Sequence, residues 1–392
     1  MSTESAPPDP PLCDPYTEDG LTQLLGDQPG YRREQVTGWL AKGVDDPAQM
    51  ANLPQSLRQH LAQTMPPPPR VVTVSQADDG LTRKVLLECG SPGRSEAVES
   101  VLMLYPRTDK RAGRATVCIS TQAGCAMGCP FCATGQAGFR RQLTVGEVVR
   151  QVTVMQRLLT QGDTDMPTSL PADVPDHVTN VVFMGMGEPL ANTDVTLAAV
   201  RWLHGPFGLS ARSITVSTIG LIPGMKRLEA LDLPITLAVS LHAPDDALRN
   251  DLVPINTQHP LSEVMAATRS YLQASGRRVT FEYVMIEGIN TSVEQARALR
   301  QLLKTHMKAG AAHVNLIPMN ATPAVPWQAP PVHEQRAFAQ ILIDGGISAT
   351  IRANRGNDID AACGQLYANY QVASGKTLPV AVGAADRISS RS

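Results

Sequence analysis

Aromatic residues make up only 4% of this 392-residue chain, which argues against a surface that grips single strands mainly by stacking. An excess of either charge is missing too. The formal net charge is −2, so no global field marks a polyanionic partner. No apolar run reaches the ~20 residues that a membrane span needs. The first residues carry acids and prolines and no apolar core, which predicts no signal peptide and a cytoplasmic protein. The cysteines, at 13, 89, 118, 125, 129, 132 and 363, are odd in number with one dense cluster, unlike a secreted disulfide scaffold. What is present is ordinary for a globular protein. Hydrophobic content is 43%, and the length suits one large domain with one or two small ones.

The dense cluster is Cys125-Ala-Met-Gly-Cys129-Pro-Phe-Cys132, a C-x₃-C-x₂-C arrangement after a short apolar strand, in a turn softened by Gly124 and Gly128. Close-set cysteines of this kind point to metal or redox chemistry. A structural zinc site closes four ligands, and an ordinary four-iron cluster takes four thiolates. Here there are three, since Ala133 to Gly138 offers neither Cys nor His. A cubane held by three thiolates leaves one iron open for a substrate or cofactor. A zinc knot with a fourth ligand from elsewhere is the competing reading; spacing and context favour the cluster. Around this stretch, Arg107, Lys110, Arg111, Arg114, Arg140 and Arg141 stand against Asp109 alone. That pattern suits either a basic collar for a phosphate-bearing substrate or a solvated loop, and charge alone does not separate them.

Taken in order, residues 1–20 are rich in proline and small polar groups and read as a disordered tail containing a passenger Cys13. Residues 21–65 form a helical accessory module, with Val36, Trp39 and Leu40, then Leu57 and Leu61, at helical spacing. Arg32, Arg33 and Arg58 are candidates for phosphate contacts, but a solvated helix face is the favoured reading for each of them. Pro66 to Pro69 then act as a stiff stop. Residues 70–113 are strand-like, with a hairpin signal at Asp79-Gly80 and a run from Ser100 to Tyr105. Cys89 ends one strand and reads as packing. From residue 114 to 352 strands and helices alternate. This predicts an α/β fold, a partial (β/α)₆ barrel with its chemistry at the C-terminal strand ends. Capping boxes are expected at Thr144/Glu147 and Thr291/Glu294, and an exposed loop at 161–176. Residues 353–372 form a mobile loop and short helix carrying Cys363, and 373–392 a flexible tail.

C-x₃-C-x₂-C is also the signature of the radical S-adenosylmethionine (SAM) enzymes. With it stand Cys118, Gly185-Met-Gly-Glu-Pro-Leu190, Ser217-Thr-Ile-Gly220, Ser240-Leu-His-Ala-Pro244, Asn315-Leu-Ile-Pro-Met-Asn320 and Asp360-Ala-Ala-Cys-Gly-Gln-Leu366. In this combination and order the chain resembles the RlmN family of radical SAM methyltransferases from about Leu21 to Leu366. The resemblance implies methylation of adenine C2 in 23S rRNA at the peptidyl-transferase centre, with tRNA as a further substrate of some members. It implies a [4Fe-4S] cluster on Cys125, Cys129 and Cys132 and two SAM per turnover. One SAM methylates Cys363, and the other yields a deoxyadenosyl radical that activates that methyl. The methylene adds to C2, an electron-poor carbon unsuited to direct displacement. Glu99 then removes a proton, and Cys118 attacks the Cys363 sulfur to form a disulfide while the methyl leaves with the base.

The resemblance also places Gly187 and Glu188 at the SAM amino group, Ser217 near its ribose or carboxylate, and Ser240, Leu241, His242 and Asn320 around it. His242 reads as a core histidine more than as an acid or base, Met184 and Met186 as packing, and an unaided Glu99 as an exposed strand-end residue. A flavodoxin or ferredoxin is the expected reductant, the protein a monomer without a membrane. Two rivals stand: the Cfr-type enzyme, which methylates C8 and usually lacks the helical module, and a non-enzymatic metal-binding RNA-binding protein.

Overall fold

The computed structural model describes residues 13–90, 95–160, 170–322, 325–352, 356, 359–361 and 364–366. Three helices come first: α1 (Glu18–Leu25), α2 (Tyr31–Ala41) and α3 (Gln55–Thr64). They bury Leu21, Leu24, Val36, Leu40, Leu57 and Leu61; of the positions that the helical spacing marks, Trp39 alone is only half-buried. The proline run ends the module as expected, and β1 (Arg70–Ala77) begins directly after it.

β1, β2 (Thr82–Cys89) and β3 (Glu96–Tyr105) form an antiparallel meander. Its first turn carries Asp78, Asp79 and Gly80 at positive φ, so the hairpin lies where the Asp-Gly signal puts it. β3 pairs antiparallel with β4 (Arg114–Cys118), which opens a run of seven parallel strands. After β4 come a small hairpin, β5 (Gln122–Gly124) and β6 (Phe139–Gln142), enclosing a one-turn helix α4 (Ala133–Gln136), and then α5 (Val145–Thr160).

The chain continues as β7 (Asn180–Phe183), α6 (Thr193–His204), β8 (Ile214–Thr218), α7 (Ile222–Glu229), β9 (Thr236–Ser240), α8 (Asp246–Leu252) and α9 (Leu261–Ser275). It closes with β10 (Val279–Met285), α10 (Val293–His306), β11 (Ala312–Pro318), α11 (Val332–Asp344) and β12 (Ser348–Ile351). The single ten-stranded sheet runs β1-β2-β3-β4-β7-β8-β9-β10-β11-β12. The α/β fold and the partial barrel are therefore present, with β1–β3 prolonging the same sheet.

Several local expectations shift. Residues 13–20 are ordered, not tail: Tyr16 is buried against Trp202 with ring centroids 4.9 Å apart, and Asp14 accepts the Gly146 N–H at the start of α5. Thr144 and Glu147 form the expected capping box. The second box slips by one residue to Ser292 and Gln295, because Thr291 is buried and α10 starts at Val293. Residues 161–169, most of the expected exposed loop, lie outside the described residues, as do 1–12 and 367–392. Among the described residues no helix is long and apolar enough to cross a membrane, and no disulfide forms.

Candidate active site

The C-terminal ends of β7 to β11 and the cysteine loop enclose about 950 Å³ of empty space, counting its open mouth. Cys125, Cys129 and Cys132 all line it. The loop is shaped from behind by the β5–β6 hairpin. Gly124 has φ 74°, and a Cβ there would lie 1.9 Å from the Gly138 carbonyl oxygen, so no side chain is admissible. The Cys125 N–H donates to that same oxygen at 3.0 Å. Burial pushes the Cys125 thiol up to about 12 and the Cys129 thiol well above its ordinary value, and the neighbouring cysteines add to both shifts. Such sulfurs carry charge only beside a strong cationic centre.

The donor set fits an iron–sulfur cluster. A single zinc ion gathers its ligands round one centre, whereas a cubane takes each thiolate on a separate iron. Among the described residues no three His, Cys, Asp or Glu side chains are grouped closely enough to clasp one ion. Cys125, Cys129 and Cys132 are the residues that would hold the cluster.

Opposite the cysteines lies the segment after β7. Gly187 has φ 99°, and a Cβ there would meet the Gln122 side chain at 2.6 Å. The Gln122 Oε1 accepts the Glu188 N–H at 2.8 Å, fixing the bend. Glu188 is buried and lines the cavity. Its carboxylate accepts the N–H groups of Leu190 and Ile219, each at 3.0 Å. Burial outweighs these donors and raises its pKa to about 7.

Ser217 and Ser240, on adjacent strands, place their Oγ atoms 3.5 Å apart on the cavity wall. His242 lines it too, with φ 62°. Its Nδ1 accepts the Val284 N–H at 3.1 Å, its ring packs edge-on to Phe131, and burial lowers its pKa to about 3. The imidazole is therefore neutral with its proton on Nε2, in line with the core reading. Asn320 lines the cavity. Leu241 does not: its side chain is fully buried in the core, its N–H donates to the Glu282 carbonyl, and its carbonyl accepts from Arg249.

Two residues that sequence reasoning passed over belong to this site. Glu282, inward on β10, lines the cavity and accepts a hydrogen bond from Asn315 at 2.9 Å. A lone acid inside the apolar run Val279 to Val284 was its only signal. Arg249 is fully buried and donates to the carbonyls of Ile219 (2.6 Å), Ser240 (3.0 Å) and Leu241 (3.1 Å), tying the ends of β8 and β9 together. Its role depends on contacts between loops, which spacing does not reveal.

Glu99 is not an exposed strand-end residue. β3 begins at Glu96, so Glu99 falls inside the strand, buried, with Lys84 Nζ 2.8 Å from its Oε1. Cys118 ends β4 on the same sheet face, since Val101, two residues from Glu99, pairs with it. Neither residue lines the cavity wall itself. Cys363 lies outside the described residues. Its neighbour Gly364 lines the cavity, and the Gly364 carbonyl accepts the Ala133 N–H at 2.7 Å, against the cysteine loop.

The basic collar does not form. Tyr105 pairs with Arg114, so the turn holding Arg107, Lys110 and Arg111 sits at the start of β4, the opposite end from the cysteines. Of the remaining two, Arg141 is bound by both Glu147 oxygens at 2.8 Å, leaving Arg140 exposed. Arg32, Arg33 and Arg58 likewise bond within the helical module, to Asn52, Glu18 and Ala48.

Comparison with known proteins accords with this geometry. The Radical SAM superfamily profile matches residues 119–299. A probable dual-specificity RNA methyltransferase RlmN of Parafrankia sp. is 49% identical over 91% of this chain and 89% of its own. The protein of the same name from Chloroflexus aurantiacus is 45% identical over 91% of this chain and 93% of its own. A crystal structure of a radical SAM methyltransferase from Sphaerobacter thermophilus superposes with a TM-score of 0.79 at 44% identity, covering 89% of this chain and 97% of that one. With identity of that level over about nine-tenths of its length, the chain belongs to the RlmN family of radical SAM RNA methyltransferases.

Proposed function

We propose that this chain methylates C2 of an adenine in 23S rRNA, and of an adenine in tRNA as a second substrate, through an S-methylcysteine at Cys363. The observation that carries the reading is the cavity wall shared by the three cluster cysteines and Gly364, the residue next to Cys363. The bound cluster supplies the electron that splits SAM and so makes a carbon radical available. Cys363 holds the transferable carbon as a thioether close to that radical. Once the adduct has lost one electron, which an oxidised cluster would accept, Glu99 would take the C2 proton. The Cys118 thiolate would attack the Cys363 sulfur, the S–C bond would break as the disulfide forms, and the freed carbon would take up a proton to become the methyl that stays with the base. The shared names of the relatives support an RNA substrate of more than one kind.

The test is direct. Reconstituted protein, SAM, dithionite and a large-subunit rRNA transcript are combined, and the digested RNA is read by mass spectrometry. We expect 2-methyladenosine, +14 Da on Cys363 in the resting protein, and neither product from Cys363→Ser. An 8-methyladenosine product would favour the Cfr-type alternative. RNA binding without deoxyadenosine would favour a non-enzymatic protein.

Glu188 gives a second expectation. Its carboxylate is read as the partner of the SAM ammonium, and a carboxyl with pKa about 7 loses its charge as pH falls below that value. The ammonium favours the ionised form, so SAM affinity is lost toward acid. The Kd from calorimetry should rise about fivefold between pH 7 and pH 6, and Glu188→Gln should flatten that slope.

A further inference from the structure

Lys84 is a buried ammonium that the reading above does not use. Its side chain is 10% exposed and that of Glu99 5%, with Nζ and Oε1 2.8 Å apart. Both lie on one face of the sheet, because Lys84 pairs with Val101 and Leu86 with Glu99. The same Nζ donates, at a long 3.4 Å, to the carbonyl of Asp360, three residues before Cys363. Nearby, Asp78 Oδ2 accepts both the Thr82 hydroxyl at 2.6 Å and the Gly356 N–H at 3.1 Å. Gly356 and Asp360 are thus held by the β1–β2 hairpin, and Gly364 by Ala133.

Folding alone gives no reason for this charge pair. Withdrawing an ammonium and a carboxylate from water costs several kcal/mol each, and apolar residues of similar volume are often as stable or more so. Leu86 and Val101, beside the pair, show that this face accepts apolar side chains.

We propose that Lys84 is a positioning residue for RNA methylation, holding the Glu99 carboxylate ionised and in register with the segment that carries Cys363. The proposal rests on the reading of Glu99 as the base. Glu188 shows what burial does to a glutamate bound by uncharged donors, two amides and the Thr218 hydroxyl, since its pKa is raised to about 7. Glu99 is as buried, and the ammonium supplies the charge that those donors lack. Among the described residues, the titratable and charged groups on this face are Lys84 on β2, Asp78 beside Thr82, Cys118 on β4, Arg352 beside Met103 and Asp360 on the C-terminal segment.

Two measurements on the full chain separate this proposal from the reading beneath it. In metal-free protein at pH 7, Lys84→Met should show a protonated-carboxyl infrared band additional to that of Glu188 in wild type, and adding Glu99→Gln should abolish the added band. In reconstituted enzyme, Lys84→Met should slow single-turnover methylation by roughly tenfold at pH 7 and move the acid limb of the profile up by about one pH unit or more. Lys84→Arg, which keeps the charge, should restore both, and Cys363 should still acquire its +14 Da. No new band, or an acid limb left in place, overturns the role of Lys84. If Glu99→Gln methylates RNA normally, the base assignment fails, whatever the infrared result.

Discussion

Cys129→Ala is expected to yield a folded protein that retains no stable cluster and produces deoxyadenosine only at the level of a SAM-and-dithionite control. Cys129 is buried, packs with Phe131 and Ala243, and lies between the other two thiols in sequence. With three thiolates available, losing one leaves two irons of a cubane without a protein ligand, and Cys118 ends a strand too far back along the chain to substitute without unpairing β4 from β3. Folding should survive, because Ala fits the space and the loop is shaped by Gly124 and the β5–β6 hairpin. Iron content, the visible absorption of the reconstituted protein and deoxyadenosine yield check this together. A variant with full iron and wild-type deoxyadenosine would remove Cys129 from the cluster. Far-ultraviolet circular dichroism should match wild type.

Much of this site was legible because its residues follow strand ends, and strand ends follow from apolar runs. Ser217, Ser240, His242 and Glu188 come together in space because β7, β8 and β9 are parallel neighbours. Reading failed where the partner is remote. The acid-containing stretch Glu96 to Glu99 does not look like a strand by itself, and it becomes one because β2 pairs with it and Lys84 neutralises Glu99. The collar failed for a geometric reason: a strand separates its two ends, so residues that look adjacent in sequence sit at opposite poles of β4. Residues 13–20 look too polar to fold, but their partners are Gly146 and Trp202, more than 100 positions away. Composition describes what a segment contributes locally, not what another segment offers it.

Asp45→Ala should have the largest effect on stability of any single polar substitution away from the cavity. Asp45 Oδ1 accepts the Tyr16 hydroxyl at 3.0 Å and Arg150 Nε at 2.8 Å, with both charged side chains almost wholly buried. Arg150 also reaches the carbonyls of Pro66 and Pro67 and lies over the Tyr16 ring. This one group of contacts joins the helical module, the proline step and α5. Removing the carboxylate leaves a guanidinium buried without its countercharge, a loss of about 3–5 kcal/mol. At roughly 2–4 °C per kcal/mol for a domain of 150–250 residues, the first thermal transition should fall by about 6 °C or more. The triple replacement Tyr16→Phe, Asp45→Leu and Arg150→Met should recover most of that loss, since it removes charge and countercharge together. Differential scanning calorimetry of cluster-free protein measures both. A fall of under 1 °C for Asp45→Ala would mean that water reaches Arg150 and that the module is held by its apolar contacts alone.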